Sequence, residues 1–305
     1  MDDRNSAAVG RIGIVGLGNM GLAIAEQLNG RFSIVGTDLS PERQAEANNV
    51  GIETAEFGTI TTTCRTILLS LPHPRASLQV AAAIARDSGI VECVVETSTV
   101  TPADVLAVKA SLAAAGVELI DVAILSGVAQ MRSGTAGLVL AGDAARRRAL
   151  APVFDALTTK QTHLNASGTA MAAKVINNAV AHVVMVALSE AIAMSDASGL
   201  DADTIVQILA APDGGLMRPL THRIAERVFD GDYEGGMSLE AARKDSMLAQ
   251  QLAQSSGIPL FTIPAAHSVY EIAMSRGWAR EDYAALAKLW EEWGDTSFVR
   301  SRQSE

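Results

Sequence analysis

The chain has 305 residues, of which 49% are hydrophobic and 19% charged, with a formal net charge of −10 and a pI near 5.0. That length suits two domains, and the acidic balance argues against nucleic acid or an anionic membrane surface as a partner. The arginine run at 146–148 does not alter this, because we expect it on a solvated helix face. The totals favour a globular protein whose partner is a small molecule.

The two cysteines and the N-terminal residues indicate the cellular compartment of the protein. Cys64 and Cys93 lie at or near apolar strand-like runs, so we expect buried free thiols rather than disulfides or metal ligands. Free thiols suit a reducing compartment, and we predict a cytoplasmic protein. Residues 1–8 lack the features of a signal peptide and are expected to form a frayed leader. Segment 171–194 carries polar side chains, so no membrane span is predicted, and no histidine spacing indicates a metal site.

The first predicted element is a buried strand, Ile12–Val15, which leads into Gly16-x-Gly18-x-x-Gly21 and a helix-forming run. Here Gly16 permits a tight turn, Gly18 lets the backbone approach a pyrophosphate, and Gly21 lets the helix pack closely on the sheet. The N–H groups at the helix start favour phosphate binding. Because strand, glycines and helix agree, the motif predicts a dinucleotide site rather than an ordinary turn.

A second strand is predicted over 32–35, and Asp38 follows it, 22 residues after Gly16. An acid at this point accepts hydrogen bonds from the adenosine ribose and repels a 2′-phosphate, which favours NAD over NADP. Asp38 could instead cap the turn before Ser40-Pro41. Arg43 leaves room for a phosphate, so NADP is not excluded.

Strands and helices continue to alternate through the first half of the chain, which is typical of a doubly wound sheet with ligands beyond the carboxyl ends of its strands. Further strands are predicted over 66–71, 91–95, 117–122 and 137–142, and a helix over 143–157. Only helical periodicity follows, at 167–197, 202–211, 216–228, 238–256, 263–276 and 281–293. The predicted fold class is α/β, with a Rossmann-type, mainly parallel sheet over 1–165 and an all-α substrate and dimerisation domain over 166–305.

Lys174 is the only fully charged residue between Ala166 and Ser189. A helix that is apolar nearly all round is expected to be buried, and burial lowers the pKa of a lysine. Asn178 lies four residues on, on the same helix face, so the two side chains can point donors at one small ligand. We interpret Lys174 as a general acid/base. The alternative is a snorkelling lysine or an interdomain ion pair.

Taken together, these segments resemble the β-hydroxyacid dehydrogenase family, which includes 3-hydroxyisobutyrate dehydrogenases. The resemblance runs from Ile12 to about Leu289. It implies a second domain like the C-terminal domain of 6-phosphogluconate dehydrogenase, and a homodimer or higher homo-oligomer. The segments that carry it are Gly16-Leu-Gly-Asn-Met-Gly21, Leu71-Pro72, Thr97-Ser-Thr-Val-Thr-Pro102, Asp121-Val-Ala-Ile-Leu-Ser-Gly127, Gly134-Thr135, Gly168-Thr-Ala-Met-Ala-Ala-Lys174-Val-Ile-Asn-Asn178 and Lys244-Asp245.

The resemblance also implies roles for individual residues. It makes Lys174 the proton donor and acceptor and Asn178 a substrate ligand. On the sequence alone, Lys244 would be an ordinary solvated charge, and only the resemblance places it over the nicotinamide side. The cofactor residues that it implies are Gly16, Leu17, Gly18, Asn19, Met20, Gly21, Asp38, Leu71, Pro72, Thr99 and Lys244.

One segment departs from the family's usual Asp-Ala-Pro-Val-Ser-Gly-Gly. Counted back from Gly134-Thr135, the substrate-binding serine falls on Leu125 and the first glycine on Ser126. Leu125, Ser126 and Gly127 remain the predicted substrate segment, but a hydroxyl is lost and apolar bulk is gained. Ala170 likewise replaces a usual glycine before the lysine.

The leading hypothesis is an NAD-dependent dehydrogenase that oxidises a β-hydroxyacid-like alcohol or reduces the matching carbonyl. Hydride moves between the nicotinamide and the substrate carbon, and Lys174 exchanges the hydroxyl proton. An imine-reductase-like enzyme is one alternative, since Leu125 suits an apolar pocket, although such relatives usually lack the lysine and favour NADPH. A non-catalytic dinucleotide-binding module is the other.

Overall fold

A computed structural model describes residues 9–300 of the chain. The predicted leader, residues 1–8, lies outside this range. The chain divides into two compact units, with the boundary between Ala179 and Val180.

One eight-stranded sheet forms the centre of the first unit, with strand order β3-β2-β1-β4-β5-β6-β7-β8. Strands β1 to β6 pair in parallel, β7 is antiparallel to β6, and β8 is parallel to β7. The predicted mainly parallel, Rossmann-type sheet is therefore confirmed. The strands are β1 Ile12–Val15, β2 Ile34–Thr37, β3 Glu53–Thr54, β4 Thr66–Leu69, β5 Cys93–Glu96, β6 Glu118–Ile124, β7 Leu138–Gly142 and β8 Gln161–His163.

Helices connect these strands and cover both faces of the sheet. Four of them have proline in the first turn, where its missing N–H leaves no hydrogen bond unmade. Thr101 and Asp104 cap one of these four helices reciprocally. The helices are α1 Asn19–Leu28, α2 Pro41–Asn49, α3 Phe57–Thr63, α4 Pro74–Arg86, α5 Pro102–Ala113, α6 Val128–Arg132, α7 Ala144–Ala149, α8 Ala151–Leu157 and α9 Thr169–Ala197.

Two apolar layers bury the sheet. On one face, strand residues such as Ile14 and Val122 pack with Ile24 of α1 and Phe154 of α8. On the other face, the layer includes residues of α4, α5 and the first turn of α9, among them Met171. Both cysteines, Cys64 and Cys93, lie in these layers as buried free thiols. The start of α9 thus belongs to the core of the first unit.

The segment 143–157 differs from its prediction as one helix. It forms α7 and α8, which meet at Leu150, just before the proline in the first turn of α8. The predicted solvated arginine face is also wrong at Arg147, which is 7% exposed. Its guanidinium donates to the carbonyl of Gly142 and to Asn165 Oδ1. A buried guanidinium is tolerated there because neutral acceptors satisfy its donors.

Helix α9 crosses the boundary between the two units without a break. The prediction that it is buried is wrong for the chain by itself: Ile176 is 65% exposed, and Val180 and Val183 are each 58% exposed. By length and composition alone, α9 would suffice to cross a membrane. A single helix of this kind is weak evidence for a membrane span, because the core helix of a soluble protein can have the same length and composition.

Over its described residues, 180–300, the second unit has only helices as named elements, which confirms the predicted all-α half. Leu239, Ala273 and Leu289 form its small core. The fully buried carboxylate of Asp282 binds Arg223 Nε at 3.0 Å and accepts a hydrogen bond from the N–H of Met237. Its elements after α9 are α10 Ala202–Ala210, a π-helix Pro219–Val228, α11 Leu239–Ser255, α12 Thr262–Ser275, a 3-10 helix Tyr283–Leu286 and α13 Ala287–Gly294.

Candidate active site

The glycine turn lies between β1 and α1. Gly16 has a φ of +96°, and a Cβ there would lie 2.2 Å from the carbonyl oxygen of Ser70, so only glycine fits this turn. A Cβ at Gly21 would lie 1.9 Å from the carbonyl oxygen of Gly16, so Gly21 packs against the turn itself. Gly18 has open space around its Cβ position, which leaves room for a ligand beside the backbone.

The N-terminus of α1 faces this open space. Gly18 is the N-cap residue, and no side chain caps the helix. The first intrahelical hydrogen bond runs from Leu22 N to the carbonyl of Gly18. The N–H groups of Asn19 and Met20 therefore precede the helix ladder and can donate to a phosphate.

Asp38 follows β2 and faces the same turn. Its Oδ2 accepts a hydrogen bond from the N–H of Leu17 at 2.7 Å, and its Oδ1 accepts one from the N–H of Ser40 at 2.9 Å. Ser40, not Asp38, caps helix α2. The side chain of Leu17 is fully buried, and only glycine at position 36 leaves room for it. Two backbone donors thus fix the Asp38 carboxylate at the end of its strand.

A cavity of about 950 Å³ runs along the carboxyl ends of β1, β2 and β4. It brings together seven of the predicted cofactor residues and several residues that were not among the predicted cofactor residues. The predicted residues in its lining are Gly16, Gly18, Asn19, Met20, Asp38, Leu71 and Pro72; additional ones are Leu39, Arg43, Phe57, His73 and Gln79. Leu17 and Gly21 lie behind this lining and shape the turn.

The segment after β4 is joined to the segment after β5. The N–H of Leu71 donates to Ser98 Oγ at 2.8 Å, and Thr97 Oγ1 donates to the carbonyl of Leu69 at 2.6 Å. Thr97 and Ser98 are buried, whereas Thr99, the predicted cofactor residue, is exposed. The sequence motif contains all three hydroxyl residues, but it does not show which of them point inward.

Lys174 lies on the second turn of α9, beside the end of β6. Its Nζ donates to the carbonyl of Ile124 at 2.8 Å. Burial of the ammonium lowers its pKa below the ordinary value. Asn178, one turn further along α9, is half-buried. The carbonyl that holds Lys174 directly precedes the predicted substrate segment, so the structure brings the candidate base and that segment together.

Within the substrate segment, the family serine position is apolar. The side chain of Leu125 is exposed, and its N–H donates to the carbonyl of Gly137. Ser126 turns its Oγ to accept a hydrogen bond from the N–H of Gly137 at 3.1 Å. Gly127 is the N-cap residue of α6. The Ser126 hydroxyl is therefore held toward β7, although its proton is still free to be donated.

Lys244 belongs to the other unit, on α11. It is exposed and lies 3.3 Å from Asp245.

Among residues 9–300, no three His, Cys, Asp or Glu side chains are grouped so as to hold a metal ion.

Two family models together match nearly all of the described chain. Residues 11–165 match the NAD binding domain of 6-phosphogluconate dehydrogenase, and residues 168–290 match the NAD-binding domain of NADP-dependent 3-hydroxyisobutyrate dehydrogenase. The chain belongs to the β-hydroxyacid dehydrogenase family.

Curated relatives of this dehydrogenase agree. It is 29% identical to an NAD-dependent L-serine dehydrogenase of Pseudomonas aeruginosa over 65% of this chain and 68% of the relative. It is 25% identical to the mitochondrial 3-hydroxyisobutyrate dehydrogenase of Rattus norvegicus over 93% of this chain and 88% of the relative. Both the family and these relatives identify an NAD-binding oxidoreductase.

The fold is also shared with a solved imine reductase. The dehydrogenase superposes on the imine reductase variant from Myxococcus stipitatus, solved in complex with NAD+, with a TM-score of 0.82. The two chains are 17% identical, and the match covers 92% of this chain and 98% of that one. At that identity the likeness concerns the fold alone.

Proposed function

We propose that this dehydrogenase oxidises a β-hydroxyacid-like alcohol with NAD, or reduces the matching carbonyl, and that Lys174 is its general acid/base. The observation that carries the proposal is the 2.8 Å contact between Lys174 Nζ and the carbonyl of Ile124. It fixes a lysine of lowered pKa beside the substrate segment. The sequence alternative of a snorkelling lysine would leave the ammonium in solvent.

The residues around the cavity fit a dinucleotide. The N–H groups at the start of α1 and the open side of Gly18 suit the pyrophosphate. The carboxylate of Asp38 has lone pairs left for the ribose hydroxyls and repels a 2′-phosphate. Leu71 and Pro72 line the part of the cavity beyond β4. NAD, when bound, accepts or supplies the hydride.

Two charged side chains at the cavity, Asp38 and Arg43, bear on the preference for NAD over NADP. Arg43 also lines the cavity, and its guanidinium is paired with Glu46 at 2.8 Å. The Arg43 guanidinium, which a 2′-phosphate would need as its cationic partner, is therefore already paired with a carboxylate. Asp38 therefore decides the preference.

Lys174 exchanges the proton. In the direction of oxidation, the neutral amine takes the hydroxyl proton of the substrate; in reduction, the ammonium supplies it. The carbonyl of Ile124 accepts one N–H of Lys174, and this hydrogen bond fixes the orientation of the other groups on Nζ. Burial favours the neutral amine, which is the form that a base requires.

Substrate specificity follows from the residues that flank the lysine. Asn178, Ser126 and Gly127 offer polar groups to a carboxylate or hydroxyl, whereas Leu125, 37% exposed, offers an apolar surface. We therefore expect a hydroxyacid with an apolar substituent to be turned over faster than a small, fully polar one such as serine. Lys244 is proposed as a cofactor residue, as the family resemblance implies.

Replacement of Lys174 tests the mechanism. Lys174→Ala should lower kcat by roughly a hundredfold or more and leave the Kd for NAD unchanged, as measured by steady-state kinetics and by fluorescence titration. Lys160→Ala removes an exposed lysine of the same unit and should be silent. Near-wild-type turnover of Lys174→Ala on every substrate would refute the proposal.

The pH dependence offers a second test. Because the base must be neutral, oxidation should slow as the pH falls below the lowered pKa of Lys174, and reduction should slow as the pH rises above it. The measurement is kcat/KM in both directions from about pH 6 to about pH 10, a range over which most enzymes stay folded. Identical profiles for wild type and Lys174→Ala would contradict the assignment.

Imine reduction is the second candidate. The specific observation in its favour is the apolar, exposed Leu125 at the serine position of the family. Parallel assays with a panel of hydroxyacids and a panel of cyclic imines separate the two activities. Turnover of imines alone would replace the leading proposal.

We also propose that the enzyme is a homo-oligomer, at least a dimer. Ile176, Val180 and Val183 recur at helical spacing on α9 and are all more than half exposed, which a chain in water rarely tolerates over such a stretch. A second copy would cover this face. Light scattering should give at least twice the 31.8 kDa of one chain without detergent. A requirement for detergent would indicate a membrane instead.

Two further points of organisation are proposals. The dinucleotide-binding domain is assigned to residues 1–165 and the substrate and dimerisation domain to 166–305. A cytoplasmic location is supported by Cys64 and Cys93, which are both buried free thiols. Fractionation of the source cells tests the location.

A further inference from the structure

Two carboxylates lie side by side inside the first unit. Glu96 ends β5, and Asp121 lies on β6 directly opposite it in the register of the two parallel strands. Register partners on parallel strands point to the same face of the sheet, and both residues are 0% exposed. This face is the one on which the first turn of α9 packs.

Each carboxylate has one oxygen satisfied and one not. Glu96 Oε1 accepts the N–H of Ser98 at 2.8 Å, and Asp121 Oδ2 accepts the N–H of Gly168 at 3.0 Å. Glu96 Oε2 and Asp121 Oδ1 are both buried and, among the described residues, neither has a hydrogen-bond partner. Buried acceptors without partners are uncommon in native proteins. A single proton between these two oxygens would satisfy both.

The satisfied oxygens lead to two different parts of the site. From Glu96, the hydrogen bonds continue through Ser98, whose Oγ accepts the N–H of Leu71 at the cofactor cavity. From Asp121, the bond to Gly168 leads into α9, which carries Lys174 two turns later. The path from cofactor segment to base is continuous except between the two carboxylates.

Electrostatics also favours one proton rather than none. Burial raises the pKa of Glu96 above its ordinary value, and the charge of Asp121 adds to this, against the hydrogen bonds from Ser98 and Ser77. Burial likewise raises the pKa of Asp121, against the N–H of Gly168. Two like charges on neighbouring strands cannot both be ionised at low cost.

Among residues 9–300, no nearby cation removes the need for this proton. The charged side chains of α5, Asp104 and Lys109, are hydrogen-bonded at Thr101 and Ser167, and Lys174 of α9 is bonded to the carbonyl of Ile124. Within residues 9–300, the charged group that acts on Glu96 is Asp121.

We propose that Glu96 holds a proton that it donates to Asp121, and that the pair is a positioning device which ties the cofactor segment at Leu71 to the helix that carries Lys174. Both residues are fully buried and lie outside the lining of the cofactor cavity. The positioning role rests on the proposed function of Lys174, whereas the shared proton does not.

Infrared spectroscopy tests the proton directly. Wild-type protein at pH 7 should show the band of a buried, protonated carboxylic acid, because the exposed acids are ionised at that pH. Glu96→Gln should lose this band. Absence of the band from wild type would overturn the proposal whatever the enzyme turns over.

The pH dependence of stability gives an independent measurement. Because the folded pKa of Glu96 is raised, the native state keeps a proton that the unfolded chain loses above about pH 4.3. Wild-type stability should therefore decline relative to Glu96→Gln as the pH rises from there toward the folded pKa, and then level off. The readout is the difference in Tm between the two proteins from pH 4 to 8, about the span over which carboxyl groups titrate. A difference that does not change with pH would refute the shared proton.

Kinetics test the positioning role. Glutamine keeps a donor toward Asp121, so Glu96→Gln should retain kcat within about twofold, whereas Glu96→Leu breaks the connection and should lower kcat by roughly tenfold to a hundredfold. The Kd for NAD should change far less than kcat. If Glu96→Leu does not fold, Glu96→Gln still decides, since a large loss of kcat in that variant contradicts the proposal. Failure of the Lys174→Ala test alone would leave the infrared and stability results standing.

Discussion

Asp38 is the side chain that we propose selects the cofactor. Two backbone N–H groups hold its carboxylate at the end of its strand. Asp38→Asn keeps an acceptor but removes the charge. We expect the ratio of kcat/KM for NAD to that for NADP to fall by about tenfold or more, because a hydrogen bond to a charged group contributes about 1.5–3 kcal/mol.

The matched control is Glu56→Gln, which neutralises an exposed carboxylate of the same unit outside the cavity. Its NAD-to-NADP ratio should equal that of wild type. If Asp38→Asn also keeps the wild-type ratio, another residue discriminates the 2′-phosphate.

The glycines of the turn differ in what an added methyl group would meet. Gly21→Ala would place a Cβ 1.9 Å from a backbone oxygen, so we expect a fall in Tm or loss of soluble protein. Gly18→Ala meets open space at an ordinary backbone conformation, so its Tm should stay near wild type while its affinity for NAD falls. Thermal unfolding with and without NAD separates the two effects. An unaltered Kd in Gly18→Ala would contradict the placement of the pyrophosphate.

The glycine turn, Asp38 and Lys174 could be selected as candidate site residues from the sequence, because each depends on local spacing, and their roles stay predictions. Prediction from sequence missed Glu96, Ser98 and the buried Arg147, because their partners come from other parts of the chain. Ser98 stands in a motif that was recognised, but only the fold shows that its Oγ faces Leu71 rather than the cavity. The register of β5 and β6 brings Glu96 beside Asp121, and no sequence pattern contains that pairing.

At the scale of elements, the start of α12 depends on a distant acid. The carboxylate of Glu190 on α9 accepts the N–H groups of Phe261, Thr262 and Ile263 at 2.6, 2.8 and 3.3 Å. Burial acts to raise the pKa of Glu190, but these N–H groups hold it below the ordinary value. The helix thereby gains the cap that its own residues lack.

Glu190→Gln should therefore destabilise the protein by about 1–3 kcal/mol near pH 7. Since the folded pKa is lowered, this stabilisation is present above the unfolded pKa and is lost as the pH falls through the folded pKa. Chemical denaturation at several pH values measures it. A deficit in Glu190→Gln that persists unchanged at the lowest pH would mean that shape, not charge, matters at this position.

Strands and helices with strong periodicity were predicted within a few residues, and the elements that were missed are the short ones. Strands β3 and β8 have two and three residues and carry polar side chains, so they produce no pattern. Apolar composition also misled the interpretation of α9. It correctly indicated a helix that needs an apolar surrounding, but it could not show that the single chain does not supply that surrounding.

At the scale of the whole molecule, we propose that a second copy of the chain covers the exposed apolar face of α9. Val183→Glu places a charge in the middle of the exposed apolar face, and we expect it to convert the proposed oligomer to a monomer in light scattering. Gln254→Glu adds the same charge at an exposed polar position of α11 and should leave the oligomer intact. A Val183→Glu protein of unchanged mass would locate the interface elsewhere.

Around helix α9, the boundary between the two family matches and the boundary between the two compact units fall at different residues. The family match that contains Lys174 begins at residue 168, whereas the compact unit into which Lys174 folds extends to Ala179. A chimera joined at the family boundary would thus take Lys174 from one parent and strand β6, whose Ile124 carbonyl binds it, from the other. Gene fusions within this family should work only when the donor helix matches the recipient's Asp121 and Ile124 carbonyl, or when the crossover is moved beyond Ala179.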